Sequence, residues 1–449
     1  MCRLTLYTYP DYRQYMRQAI EFHTSDRAGW FDTRCLFEDV RTCQYPDFSS
    51  MNSRVWTAEI PIYMRLLATC RITNDPTAAD AFLVPAFFGT LTTLSWGRFN
   101  GGGATLRGRI HAMQHNASRL LLRGMARNAT GVSAEKSASS LLPFLNPATA
   151  ARHIVLCTVD VQYVWRNALS ATVVHYGDDT SILACQEGRG CEKPKLHETH
   201  NLSHGLTVPY RMSHWLPLGP LESSSTGEIG AGSGSKRSEG SLLLTRQKRW
   251  LLSGNINFAK HTARGVLVEA IEAAAIRLSL QHRVMFNGRQ RNSSMMSTTK
   301  AARASSQSIF CLCPTGDSKG FTGRFWFALA HGCVPVRYDG WARHLSFDDV
   351  AWPSRHRVDW RKAVVNVQRG EEVGLMERLQ SELASGEAEG RLRYVRSISP
   401  WLGYRGGPNG TRPTDGGLDA ADVLIEQLEA RFLKTKSQPT LIETGRLRA

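Results

Sequence analysis

The sequence predicts an α/β protein of two domains, each a parallel sheet covered by crossover helices. Three observations carry this prediction. Short apolar runs alternate with stretches of helical pattern, the same alternation starts again in the second half, and a Gly/Ser-rich stretch, "ESSSTGEIGAGSGSKRSEGS" at 222–241, separates the two series. A chain of 449 residues with 42% apolar side chains suits two cores of about 200 residues each. The implied organisation is a domain over 1–221, a linker or insertion over 222–241, a second domain over 242–434 and a basic tail over 435–449. Two Rossmann-like domains facing an interdomain cleft follow from this plan.

Each element has its own signal. In the first half "RLTLYTY" and "AFLVPAF" are apolar runs of strand length, with a helix expected around 55–70 between them. A further helix is expected near 105–125, followed by the strands "HIVLCTVD" and "ATVVHYG". In the second half "RWLLSGNI" is the opening strand and "ARGVLVEAIEAAAIRLSL" is a long run of helix-forming residues. The apolar runs "SIFCLCPT" and "CVPVRYDG" flank "GRFWFALAHG", which reads as a helix. The last helix is amphipathic, with Leu424, Ile425, Leu428 and Phe432 on one face. Polar stretches at 98–109, 131–140, 287–308 and 403–417 read as loops, and no internal repeat is evident.

The net charge of +16 suits an acidic polysaccharide, an anionic membrane surface, a nucleotide-bearing ligand or nucleic acid. The basic residues are scattered, and the short clusters "RQKR" and "SRHRVDWRK" lack the interleaved aromatics of an RNA-binding sheet. No nucleic-acid partner is therefore expected. Ten cysteines are far too few for a disulfide scaffold. Cys185 with Cys191, and Cys35 with Cys43, are spaced for a bridge, whereas Cys311, Cys313 and Cys333 lie in apolar runs and read as buried packing residues. Paired Cys or Cys/His ligand sets are missing, so no metal site is expected. Asn116, Asn128, Asn201, Asn292 and Asn409 each begin a glycosylation sequon, which favours a secretory-pathway lumen. No stretch reads as a signal peptide or membrane span: "AFLVPAFFGTLTTLSW" is broken by Pro85 and Gly89.

In open parallel sheets, ligands bind beyond the carboxyl ends of the strands. "LLSGN" puts Gly254 and Asn255 just after the first strand of the second domain. "PTGDSKGFTGR" follows a later strand and runs into a helix, placing Gly316, Ser318 and Thr322 in a loop and Arg324 in the first helical turn. This is the composition of an anion site, with backbone amides and a cation at a helix N-terminus. Neither a G-x-G-x-x-G nor a Walker sequence is present, and an ordinary strand-to-helix turn is the alternative.

The same residues resemble a known family. "FCLCPTGDSKGFTGRFWFALAHGCVPV" is similar to the exostosin signature of glycosyltransferase family 47, an FCL-P-G strand and loop followed by R-x-x-(E/D)-A and GC-(I/V)-PV. "CRITNDPTAADAFLVPAF", "RHIVLCTVD", "RWLLSGNINFAKHTARGVLVEAI" and "LDAADVLIEQLEAR" resemble further segments of that family in the same order, so the likeness covers most of 1–434. The long Gly/Ser inserts look like those of green-algal members.

The resemblance implies the GT-B fold, an inverting hexosyl- or pentosyltransferase, and Golgi residence. The implied donor is a nucleotide-sugar, most often a UDP-sugar, and the implied acceptor is a glycan or glycoprotein. Family members work as homo- or hetero-oligomers, and a catalytically silent relative supporting a partner transferase is the alternative function. A basic polyanion-binding protein is a third. Arg324, Arg264 and the loop amides near Gly316, Ser318 and Thr322 would hold the diphosphate in place of a metal, and "GDD" at 177–179 gives no strong reason to require manganese. Asp160 and His175, each at the carboxyl end of an apolar strand, are the candidates for the general base; capping and core packing are their structural alternatives. One departure stands out. The family's acidic residue three positions after the signature arginine is Phe327 here, leaving Asp339 at the end of the next strand as the candidate partner for the donor ribose.

Overall fold

A computed structural model of the chain describes residues 2–24, 58–85, 87, 142–144, 149–156, 172–176, 205–208, 245, 248–256, 262–287, 298–314, 323–338, 358–404 and 417–437. Among these residues the strands form two sheets, and every pairing is parallel. The first half gives β1 (Thr5–Thr8), α1 (Pro10–Thr24), α2 (Glu59–Thr69), β2 (Arg71–Thr73), β3 (Ala81–Pro85), β4 (His153–Leu156), β5 (Thr172–Tyr176) and β6 (Gly205–Val208). Its sheet runs β2-β1-β3-β4-β5-β6.

The second half begins with β7 (Trp250–Asn255), α3 (Thr262–Arg277), β8 (Val284–Asn287), α4 (Thr298–Ser306) and β9 (Ser308–Pro314). It continues with α5 (Gly323–Ala330), β10 (Val334–Tyr338), α6 (Trp360–Ala363), β11 (Val365–Val367), α7 (Leu375–Ser385), α8 (Glu387–Leu402) and α9 (Ala420–Ser437). Its sheet runs β11-β10-β9-β7-β8. This is the α/β, Rossmann-like architecture expected from the sequence.

Burial explains why these runs are strands. β3, β4, β9 and β10 are buried at every position, as continuous apolar runs covered on both faces must be. β2 is the counter-case. It is short, largely exposed and polar, which an edge position allows. The register sets Leu83 beside Ile154 in the first sheet and Val336 beside Leu312 in the second.

Three expectations are corrected. Residues 298–306 fall in a stretch expected to be a loop, yet they form α4, because Ala301 and Ala302 supply a small buried face that the polar composition hides. α1 was not foreseen: Tyr12 and Met16, four residues apart, are its buried pair, and Pro10 and Asp11 open it. Cys311 and Cys333 are joined in a disulfide rather than packing as thiols, leaving Cys313 as the free buried cysteine among the described residues. A second disulfide, Cys2–Cys70, ties the start of the chain to the end of α2. The expected helix near 105–125, and the cysteine pairs 35/43 and 185/191, lie outside the described residues.

α9 packs against α2 and β6 as well as against α8, so the last helix joins elements of the two halves. A buried ion cluster holds it there. The Arg65 guanidinium on α2 reaches Asp422 at 2.7 Å and Asp419 at 3.1 Å, with all three side chains at most 2% exposed. Asp419 also accepts the amides of Ala421 and Asp422, capping α9. Burial raises the Asp419 pKa, and Arg65 opposes that rise. At the far side, Glu429 accepts from the backbone amide and guanidinium of Arg3.

Lys248, just before β7, is a second cation of note, half-buried. Its ammonium donates to the Ser306 carbonyl at 2.6 Å and the Gly332 carbonyl at 3.2 Å. Burial, followed by repulsion from Arg396, lowers its pKa from 10.5 to about 8.

Two predictions follow from these cations. Arg65→Met strands two buried carboxylates, and should lower unfolding free energy by about 3–5 kcal/mol. Adding Asp419→Asn and Asp422→Asn should recover much of that loss in denaturant unfolding. For Lys248, the unfolded chain keeps a proton that the folded chain releases between about pH 8 and 10.5, so the burial penalty is full below this window and gone above it. Across that window the wild type should therefore gain on the order of 3 kcal/mol relative to Lys248→Met, measured by unfolding at both ends.

Candidate functional site

In the second sheet the strand order reverses between β7 and β9: connections lead to β8 on one side and to β10 and β11 on the other. A reversal of this kind leaves a crevice outside the carboxyl ends of the two strands. Asn255 ends β7 and Pro314 ends β9, and α3 and α5 both follow strands that end there. Their amino termini therefore bring positive dipole ends to one edge.

Arg324, in the first turn of α5, donates from Nε to the Asn255 backbone carbonyl at 3.2 Å, bringing together two residues that the sequence places on separate loops. This contact ties the start of α5 to the end of β7. Beside it, Asn255 Oδ1 is buried and has no hydrogen-bond partner among the described residues. A buried acceptor without a donor is costly, which makes this amide oxygen the natural contact for a ligand hydroxyl or N–H. Arg264, in the first turn of α3, is 2% exposed and is a second cation set on an element leading away from this edge.

Gly254 has a simpler role. It lies inside β7 rather than after it, and an added Cβ would stand 3.0 Å from the side chains of Ile256 and Phe286. Close packing against β8 therefore accounts for this glycine without a ligand.

Cys313 fastens β9 to α5. Its thiol lies within hydrogen-bond reach of the Cys311 carbonyl at 3.3 Å and the Arg324 carbonyl at 3.5 Å, and its one S–H is shared between them. Burial pushes the thiol up to about 12 against the opposing influence of the Arg324 charge. Two residues past the end of α5, Gly332 takes φ 63°, and the Cys333 amide returns to the Ala328 carbonyl at 3.0 Å. The turn delivers Cys333 to its bridge with Cys311, so the disulfide closes the loop that carries Arg324. Phe327 is half-buried, its ring 4.1 Å from the His331 imidazole, while His331 Nδ1 donates to the Phe327 carbonyl at 2.7 Å.

In the first sheet the equivalent reversal lies between β1 and β3. Phe87, just beyond β3, is fully buried against Tyr63 and holds φ at 49°, an uncommon and strained conformation for a bulky side chain. His153 of the "RH" segment is a core residue: its ring nitrogens engage the Tyr9 hydroxyl at 2.6 Å and the Thr149 carbonyl at 2.9 Å. His175 occupies the fourth position of β5, opposite Thr207 of β6. Asp160, Gly316, Ser318, Thr322 and Asp339 lie outside the described residues. Among the described residues no three His, Cys, Asp or Glu side chains gather to hold a metal ion.

No family model and no curated protein sequence matches the chain. Among solved structures it is similar to TarM, with 8% identity and a TM-score of 0.31 over 63% of this chain; the match spans only 55% of TarM. It is also similar to the glycotransferase of kitacinnamycin, with 10% identity and a TM-score of 0.30 over 95% of this chain and 98% of that one. Likenesses this distant carry no argument about chemistry, and the two-sheet architecture stands on strand order and register.

The burial of Cys313 gives a direct check on this site. At pH 8 the native protein should leave the Cys313 peptide unalkylated by iodoacetamide, with full labelling only after denaturation; peptide mass spectrometry reads the outcome.

Proposed function

We propose that the chain is an inverting glycosyltransferase of the exostosin type, family 47, with two Rossmann-like domains in the GT-B arrangement. It would bind a nucleotide-sugar, with a UDP-sugar as the favoured donor, at the β7/β9 edge, and transfer a hexosyl or pentosyl group to a glycan or glycoprotein acceptor. The observation that supports this reading most is the Arg324–Asn255 contact at the strand-order reversal, beside a buried acceptor oxygen without a partner. The motif resemblance in "FCLCPTGDSKGFTGRFWFALAHGCVPV" falls on this edge.

The chemistry asks little more of the residues. As the glycosidic bond breaks, the diphosphate leaving group gains negative charge, which Arg324, Arg264, the loop amides of Gly316, Ser318 and Thr322 and the amino termini of α3 and α5 would stabilise. Asn255 Oδ1 would accept from the nucleoside. Inversion needs a base on the acceptor hydroxyl, and Asp160, with His175 as alternative, is proposed for it. The two disulfides among the described residues and the five sequons fit a secretory-pathway lumen such as the Golgi. Among the described residues no helix is long and apolar enough to cross a membrane.

Phe327 supports a second reading, a silent relative that aids a partner transferase, because an aromatic ring packed against His331 cannot accept hydrogen bonds from a ribose as a carboxylate would. Asp339 would take that role if the chain is active. Calorimetry separates the cases: UDP should bind the wild type, and Arg324→Ala should weaken it by at least 2 kcal/mol, on the order of a charged hydrogen-bonding pair. With UDP-sugar turnover established, Asp160→Asn should cut kcat by about 100-fold or more while leaving donor affinity unchanged. Binding without turnover for any UDP- or GDP-sugar would favour the silent relative.

A further inference from the structure

The amino-terminal edge of the second sheet, opposite the β7/β9 crevice, carries a groove of about 610 Å³ between α6 and α8. Arg361, Lys362, Arg391 and Arg393 line it against a single acidic side chain, Glu387, with Tyr394 as its aromatic wall. The groove is preformed. Arg391 is a rivet: its guanidinium donates to the Arg361 carbonyl at 2.6 Å and the Val364 carbonyl at 3.0 Å, and pairs with Glu382 and Glu387. That leaves the other three cations to face outward. Lys362 is 67% exposed, and its ion pair with half-exposed Asp359 is 3.6 Å long; Arg393 is 46% exposed and 3.5 Å from Glu389. The exposed Lys362–Asp359 pair is weak, whereas Arg393 faces a buried carboxylate, Glu389, and keeps about half of its side chain in solvent. The exposed Arg361 guanidinium has no hydrogen bond or ion pair among the described residues.

The positive charge continues beyond the groove. Arg396 lies three residues after Arg393 on α8 and repels Lys248, and the next residue, Arg249, sits 4.7 Å over the Trp250 ring. Cations are therefore crowded along this edge from α6 to the start of β7, an arrangement that an anion relieves. We propose that this groove binds an acidic saccharide chain, one bearing carboxylate or sulfate groups, at a site separate from the donor crevice. Arginine forks match both groups bidentately. A single-stranded nucleic acid fits less well, since it is held by stacking on open aromatic faces. Here Lys362 lies 5.9 Å over the Tyr394 ring, and Arg249 lies over Trp250. The inference does not rest on the transferase reading.

The test is calorimetric titration of the full chain at low salt with four hexamers. These are an oligogalacturonate, a sulfated oligosaccharide, a neutral oligosaccharide and single-stranded DNA. Arg361→Ala/Lys362→Ala/Arg393→Ala is run beside the wild type, with the exposed single variant Arg361→Glu as a safeguard should the triple variant misfold. Saturable binding of one or both acidic saccharides, weakened at least tenfold in the triple variant and clearly in Arg361→Glu, with no binding of the neutral hexamer, is the expected result. The carboxylated and sulfated arms tell which acidic group is recognised. Unchanged affinity in the variants, absence of binding to both acidic saccharides, equal binding of the neutral hexamer, or tighter binding of DNA would each overturn the proposal.

Discussion

The constraint on which the structure depends is parallel strand pairing. A parallel strand cannot be reached by a hairpin, so each pairing demands a crossover, and crossovers pack on the sheet with one hand. In both sheets the second strand in sequence lies on one side of the first, and the later strands lie on the other. The chain must therefore leave β7 and β9 in opposite directions, and the ends of those strands are the place where neither crossover covers the sheet. Arg324 and Asn255 meet there because the topology leaves that edge open.

What surrounds this edge serves to hold it still. The Cys311–Cys333 bridge and the Gly332 turn fix both ends of the segment containing α5, and the Cys313 thiol fastens its first turn to β9. Farther away, the Arg65 cluster anchors α9 against α2. Replacing such a buried cluster by apolar residues is often neutral or stabilising, whereas removing only its cation is costly. Asp419 illustrates the economy of the arrangement: one carboxylate caps the helix and faces the guanidinium.

Much of the fold was legible in the sequence because parallel strands buried on both faces are written as unbroken apolar runs. β3 and β4 lie within such runs, and β1, β7, β9 and β10 within mostly apolar ones. The short strands β2 and β11 were not legible, since three residues at a sheet edge carry no period. The contacts of greatest sequence separation were also hidden. Nothing local connects Arg65 with residues about 350 positions later, and Cys2 with Cys70 gives no spacing signal. At the site, the residue types have the composition of an anion-binding loop, while the unpartnered Asn255 oxygen and the packing role of Gly254 needed coordinates. The Cys311–Cys333 bridge was missed for a physical reason as well: two cysteines in adjacent apolar strands look the same in sequence whether reduced or joined.

The central claim is that a nucleoside diphosphate sits at the carboxyl ends of β7 and β9, against the start of α5. Hydrogen–deuterium exchange of the full chain with and without saturating UDP tests it most directly. Slowed exchange centred on peptides covering 254–264 and 316–326 is the expected result. Saturation by UDP with unchanged exchange in both segments, or with protection centred elsewhere, would contradict it.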